Sequence, residues 1–412
     1  MNTQTSSGAR RLRFFAAAVF AVFVSAAEAS GPVSGVTVRQ RYPWNGLVDI
    51  SFSLSEDAIV TVSATDTGTG TVLPVATLSE GGEAVVNGQT GLATGEHKLV
   101  WNADTDVPNA LHENVEVTVS ADNSLYMIVK LTKENGRYPI SYRAGPPVGG
   151  WPIEYKTKYL VLRKIKAGTF MMGSPTSEWG RGTNEDQHKV TISQSFYIGV
   201  FELTQGQGFL VAGISPTAPE YPIKYTEEDA ASILNNLSSG TSLEFQLPTE
   251  AQWEYACRAG TSSSFYTGTS PSSKDEMVLE VAGFEAYPRT IMKSGYNAQV
   301  YCVGGHALVD WAIPVGSFSP SPWGLYDMGG NRREVCRDIY KANLGSTAVV
   351  DPCITSGSSQ LVTKGGNLRG REDSTYRDDI SSVRPAFRVG YKTYDSGDSS
   401  NGFRVVVTTS NN

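Results

Sequence analysis

Between residues 36 and 120, apolar and polar positions alternate in short runs. They are Val36-Thr37-Val38, Leu47 to Phe52, Ile59 to Val62, Ala84-Val85-Val86, Lys98 to Trp101 and Val115 to Val119. A period of two places successive side chains on opposite faces, which predicts half-buried strands. Turns rich in Gly, Asn, Asp and Thr separate the runs, and about 85 residues of such strands fit a small immunoglobulin-like β-sandwich over 36–120. Trp44 and Trp101 are its expected core aromatics. No titratable cluster stands out in it, so a spacer or docking module is the expected role.

From 121 to 158 the alternation fades into Pro, Gly and Tyr-rich sequence, including Arg143-Ala144-Gly145-Pro146-Pro147-Val148-Gly149-Gly150-Trp151-Pro152. This composition predicts a linker, and its aromatic residues favour a packed strap over a free tether. Residues 159–409 hold two helical patterns in turn-rich sequence. In the first, Thr226 caps an acidic turn, Ile233, Leu234 and Leu237 share a face, and Gly240 is the expected end. In the second, from Pro248 to Gly260, Thr249 and Gln252 form a capping box, and Trp253, Ala256 and Cys257 share a face. Short strands such as Val190-Thr191-Ile192 and Phe403 to Val407 complete an α+β domain with little regular secondary structure.

The chain has 412 residues, with 42 Gly and 20 Pro, and this size and punctuation predict two domains of many short elements. The net charge of -7 excludes a generic phosphate-binding surface, so no nucleic-acid partner is expected. Residues 1–29 have the form of a secretory signal. Arg10, Arg11 and Arg13 precede an apolar stretch from Phe14 to Ala27, and Ala27-Glu28-Ala29 supplies a cleavage site. The expected mature protein is extracytoplasmic, secreted or in the cell envelope, with no membrane span. Export permits disulfides among Cys257, Cys302, Cys336 and Cys353. Their separations of 45, 34 and 17 residues match no zinc spacing, which leaves two disulfides, of three connectivities, or buried thiols.

Several stretches then arrive in a recognisable order. They are Gly168-Thr169-Phe170-Met171-Met172-Gly173-Ser174, Phe196-Tyr197-Ile198-Gly199, Phe201 to Gln205, Leu247 to Ala256, Pro322 to Asn331, Lys364-Gly365-Gly366-Asn367 and Asn401-Gly402-Phe403-Arg404. Together they resemble the formylglycine-generating enzyme, or sulfatase-modifying factor, family, which implies a variant of the C-type-lectin-like fold. Each motif also has a purely structural meaning: a capped helix, a close backbone approach at a double Gly, a core Phe.

The resemblance further implies a Cu(I) site built from two cysteines that follow the double Gly by about four and nine residues, because soft thiolates select Cu(I). Counting across places Gly370 and Thr375 at those positions, and no cysteine follows Cys353. Copper is therefore not expected and no catalytic residue is assigned. The sulfoxide synthases of the same fold use three histidines at iron. This chain has His97, His112, His188 and His306, no paired spacing among them, and His188 at a strand entrance. The resemblance also implies a structural calcium, with Asn331 and Glu334 as the matching ligands, although Arg332-Arg333 replace the family's aromatic residues there.

Arg369, Arg371, Glu372, Asp373, Arg377, Asp378, Asp379 and Arg384 crowd into sixteen residues. Such a run is either a solvated face or a recognition surface. In the second case Arg369, Gly370, Arg371, Thr375 and Arg377 are the ligand-cleft candidates, with arginine offering paired contacts to carboxylate or sulfate. Three roles follow for the chain: a non-catalytic module binding an extracytoplasmic ligand or protein, a protein-modifying oxidase acting through an unrecognised site, or a structural envelope protein.

Overall fold

Alternating sequence gives alternating burial in the N-terminal strands. Leu47–Leu54 buries every second residue, and Ala58–Asp66 buries Ala58, Val60, Val62, Ala64 and Asp66. In this computed structural model, residues 32–41, 46–108, 112, 115–266, 268–270, 272, 312–366, 380–392 and 401–408 are described. The chain divides into two units, residues 1–123 and 124–412, and is mostly β-sheet with few helices. The expected signal at 1–29, Trp44, Cys302 and His306 lie outside the described residues.

In the first unit, Val33–Gln40, Leu47–Leu54, Gly95–Asn102, Leu78–Glu80 and Glu83–Val85 form one antiparallel sheet in that spatial order. Ala58–Asp66 organises a second sheet with Thr71–Leu73, Gly91–Leu92 and Val115–Asp122. Ile50, Phe52, Leu99 and Trp101 from the first sheet share one apolar core with Val60, Val62 and Val117 from the second. The strands at 71–73, 78–80 and 91–92 have no sequence signal, because two or three residues are too few to establish a period.

The second unit is built on a six-stranded antiparallel sheet, ordered Ile140–Arg143, Tyr126–Lys130, Tyr159–Ile165, Phe196–Gly199, Val406–Thr408, Phe245–Gln246. The stretch expected as a linker or strap thus supplies two of its strands. A four-stranded sheet, ordered Val389–Lys392, Gln360–Lys364, Arg333–Ile339, Asn401–Gly402, carries the Gly-Asn and double-Gly motifs.

The two expected helices form, with one correction. Thr226 caps Glu227–Thr241, which runs past Gly240 and stops at Ser242, whose φ of 64° breaks the helix. Gly240 instead lies in the last turn because Tyr138 packs where its Cβ would be, 2.4 Å away. Thr249 and Gln252 cap Glu250–Arg258 by their reciprocal hydrogen bonds. A third helix, Gln205–Ala212, begins at the end of the Phe201 to Gln205 motif. Thr204 and Gln207 form the same capping box, a signal obscured by Gly206 and Gly208.

Candidate functional site

All five ligand-cleft candidates, Arg369, Gly370, Arg371, Thr375 and Arg377, lie outside the described residues. The frame that brackets them is described. Gly365 and Gly366 have φ of 86° and 68°, the left-handed region that favours glycine. A Cβ on Gly366 would fall 2.7 Å from Ser382 Oγ, so the chain before residue 367 and the chain after residue 379 touch. A Cβ on Gly365 would meet Trp253 and the Met328 carbonyl, each at 3.2 Å. The double Gly is therefore required by close packing against the capped helix and the Gly-Asn loop.

Beneath this junction lies a layer of buried charge. Glu250, Glu254 and Arg258 follow at intervals of four along a helix whose nine residues are all buried. Glu254 Oε1 accepts from Gly173 N at 2.8 Å and from Arg258, and its Oε2 accepts from Lys364 Nζ at 2.9 Å. Burial opposes ionisation of Glu254, yet Lys364 and Arg258 hold its pKa down at about 2. Glu250 takes a two-pronged contact from Arg388, Nε at 2.5 Å and Nη2 at 2.8 Å. Its backbone N–H donates to Asp338, whose burial pushes the carboxyl up to about 6. The stripe looks like a solvated helix face in sequence because charge is usually outside. Its partners Gly173, Asp338, Lys364 and Arg388 lie 81 to 138 residues away in sequence, which no local pattern reveals.

Arg384 belongs to this layer rather than to an exposed polar face. It is fully buried and donates to Glu185 at 2.9 and 2.8 Å, to Glu178 at 2.5 Å and to the Gly180 carbonyl. His188 stands at a strand entrance, as the sequence predicts. It is buried, with Nδ1 2.9 Å from the Asp186 carbonyl.

Asn331 and Glu334, the calcium candidates, are both buried and already bonded. Asn331 Oδ1 accepts from Ile313 N at 3.0 Å, and its Nδ2 donates to Glu202 at 2.6 Å. Glu334 accepts from Arg404 through both oxygens, each at 2.5 Å, and from Trp253 Nε1 at 2.7 Å. A cation at Glu334 would face the Arg404 guanidinium, and neither residue turns an open oxygen toward a common point. This donor set does not fit a calcium shell. Nearby, burial pushes the Glu202 carboxyl well up, with Glu334 and Asp327 adding to it, and burial likewise raises Asp327 to about 6.

No disulfide joins any two of Cys257, Cys336 and Cys353. Cys257 Sγ lies 3.8 Å from the Met328 carbonyl inside the core. Cys336 is in the same core, and burial, reinforced by Asp338 and Glu250, pushes its thiol well up, away from the thiolate that a soft metal needs. Among the described residues no group of three or more His, Cys, Asp or Glu side chains is placed to hold a metal ion.

Comparison with known proteins bears on the whole frame. A family described as "Sulfatase-modifying factor enzyme 1-like domain" matches residues 156–409. A formylglycine-generating enzyme of Thermomonospora curvata is 28% identical over 169 residues, covering 39% of this chain and 48% of that protein. The Bos taurus formylglycine-generating enzyme is 27% identical over 160 residues, covering 39% and 38%. The chain thus spans half or less of the length of these curated relatives. Among solved structures it is similar to PvdO from Pseudomonas aeruginosa, at 22% identity and TM-score 0.44, covering 61% of this chain and 95% of that one. It is also similar to Treponema denticola variable protein 1, at 20% identity and TM-score 0.46, covering 61% and 96%.

Proposed function

The chain belongs to the sulfatase-modifying factor enzyme 1-like family, and from that premise we propose that its family domain is a non-catalytic ligand- or protein-binding module. One observation carries this reading. Gly370 and Thr375 stand where copper-binding cysteines would be required, and no cysteine follows Cys353. Neither glycine nor threonine supplies a thiolate, and the thiols of Cys336 and Cys353 are pushed up by burial. The charge that is present in the frame is consumed internally: Glu254 by Lys364 and Arg258, Glu250 by Arg388, Glu334 by Arg404. That layer supports loops; it does not offer an acid, base or metal ligand to a substrate.

In this reading Arg369, Arg371 and Arg377 recognise an anionic group on an extracytoplasmic ligand or protein, and Gly370 and Thr375 mark the lost catalytic positions. The signal-like sequence at 1–29 supports export. The first unit, with two sheets on one core, supports an immunoglobulin-like spacer or docking module. Asn331 and Glu334 act as framework and hold no calcium. Among the described residues no helix is long and apolar enough to cross a membrane.

The test is oxygen uptake by the purified, copper-supplemented chain with a Cys-x-Pro-x-Arg peptide. The expected result is no peptide-dependent uptake and no aldehyde. Turnover, lost on removing copper, would overturn the reading in favour of an oxidase.

A further inference from the structure

Away from the double-Gly frame, the second unit contains a cavity of about 500 Å³ between the Gly149-Gly150-Trp151 strap and the loop at 316–320. Gly149 and Gly150 have φ of 86° and 89°, so the strap turns through left-handed backbone to form one lip. Trp151 and Phe201 are buried in the apolar cluster below, with Tyr326 packed against it, and all three line the cavity. Trp151 stacks in turn with Tyr126 and Tyr155, at 5.1 and 5.2 Å between ring centres, so this aromatic wall is braced from behind.

One charged side chain, Lys156, lines this cavity. Its ammonium lies over the Phe201 ring at 5.4 Å and makes a single long contact, 3.4 Å, to the Gly316 carbonyl. No carboxylate among the described residues lies within ion-pair distance of it. Asp327 and Glu220 act on it only from farther away, while burial lowers its pKa. Asp327 Oδ2 accepts from Gly316 N at 2.6 Å and so fixes the loop that carries the far wall, while its Oδ1 is buried without a hydrogen-bond partner among the described residues. The cavity thus combines a half-desolvated ammonium, spare donor protons and aromatic side chains within a largely polar lining.

We propose that this cavity binds a small organic carboxylate with a ring-shaped apolar face, its carboxylate on the Lys156 ammonium and its ring against Trp151, Tyr326 and Phe318. A lone ammonium matches a singly charged carboxylate. A phosphate dianion would require further donors, such as an arginine fork or a cluster of backbone N–H groups, and no arginine lines the cavity. The volume suits a ligand of drug-like size or smaller, and Trp151, Phe318 and Tyr326 are the aromatic part of a lining that is otherwise largely polar. This site is independent of whether the chain oxidises thiols.

Ligand-observed NMR and calorimetry on the full chain test it, with benzoate, cyclohexanecarboxylate and indole-3-acetate as probes, indole-3-acetamide as the uncharged control, and inorganic phosphate as competitor. At least one ring acid is expected to bind saturably, with the amide about tenfold weaker or more, as a lost charge-assisted contact implies. Lys156→Met should bring acid and amide to the same affinity. Ser319→Trp, an exposed lining position, should abolish both by filling the cavity. The unfolding temperature of each variant separates lost binding from lost fold, and if Lys156→Met does not fold, Ser319→Trp and the amide decide. Equal binding of acid and amide, unchanged binding by a folded variant, displacement by phosphate at matching concentration, or no binding of any ring acid at millimolar concentration would each overturn the proposal.

Discussion

Glu254 has three polar partners and almost no exposure, and the consequence of removing its charge is large. Replacing it with glutamine leaves the Arg258 guanidinium buried without its counter-ion and the Lys364 ammonium with only the longer, 3.8 Å contact to Glu250, which Arg388 already engages. Breaking a buried pair from one side costs about 3–5 kcal/mol, so Glu254→Gln should lower the stability of the second unit by that order in urea unfolding. Asp327 behaves in the opposite sense with pH. Its folded pKa, raised to about 6, exceeds that of an unfolded aspartate, so the folded state holds the proton more tightly. The stability this contributes is complete below about pH 4 and is lost as pH rises through about 6. Asp327→Asn should therefore match the native chain at low pH and exceed it near neutrality by about 2 kcal/mol, as measured by urea midpoints across pH 4 to 7. A pH-independent difference between the two would contradict this assignment.

At the scale of elements, Gly240 tests whether packing overrides propensity. Alanine is the better helix former by up to about 1 kcal/mol, yet its Cβ would overlap the Tyr138 ring. Gly240→Ala should lower the unfolding midpoint despite its higher propensity, at an overpacking cost of about 1–3 kcal/mol. The same contrast shows what the chain discloses locally. The capping boxes at Thr249 and the cap at Thr226 are written in adjacent residues, and both helices start where those residues place them. The helix after Thr204 carries an equal signal, but two glycines mask it. Period-two strands of eight residues are legible, whereas the pairs and triplets at 71–73, 78–80 and 91–92 depend on neighbours. The candidate site divides in the same way. The double Gly and the Gly-Asn loop are motifs, and so is the missing cysteine pair. The buried charges at Glu250, Glu254, Lys364, Arg384 and Arg388 are not legible, because their meaning arises only when distant strands meet.

For the whole molecule, the proposed function separates the family frame from the family chemistry. Residues 156–409 retain the motif order, the capped helix under the double Gly and the sheet that carries it, while the positions that would bind copper are Gly370 and Thr375. On the same proposal Asn331 and Glu334 serve as framework, with Glu334 paired to Arg404. Chelation by EGTA should accordingly leave the unfolding temperature unchanged, within the scatter of repeated calorimetric scans. The most direct test of the central claim is a Cu(I) titration of the reduced, full-length chain against a chromophoric Cu(I) chelator. The chelator is expected to retain the metal. A tight, stoichiometric site on the protein that disappears when its cysteines are replaced by serine would contradict the loss of the copper site.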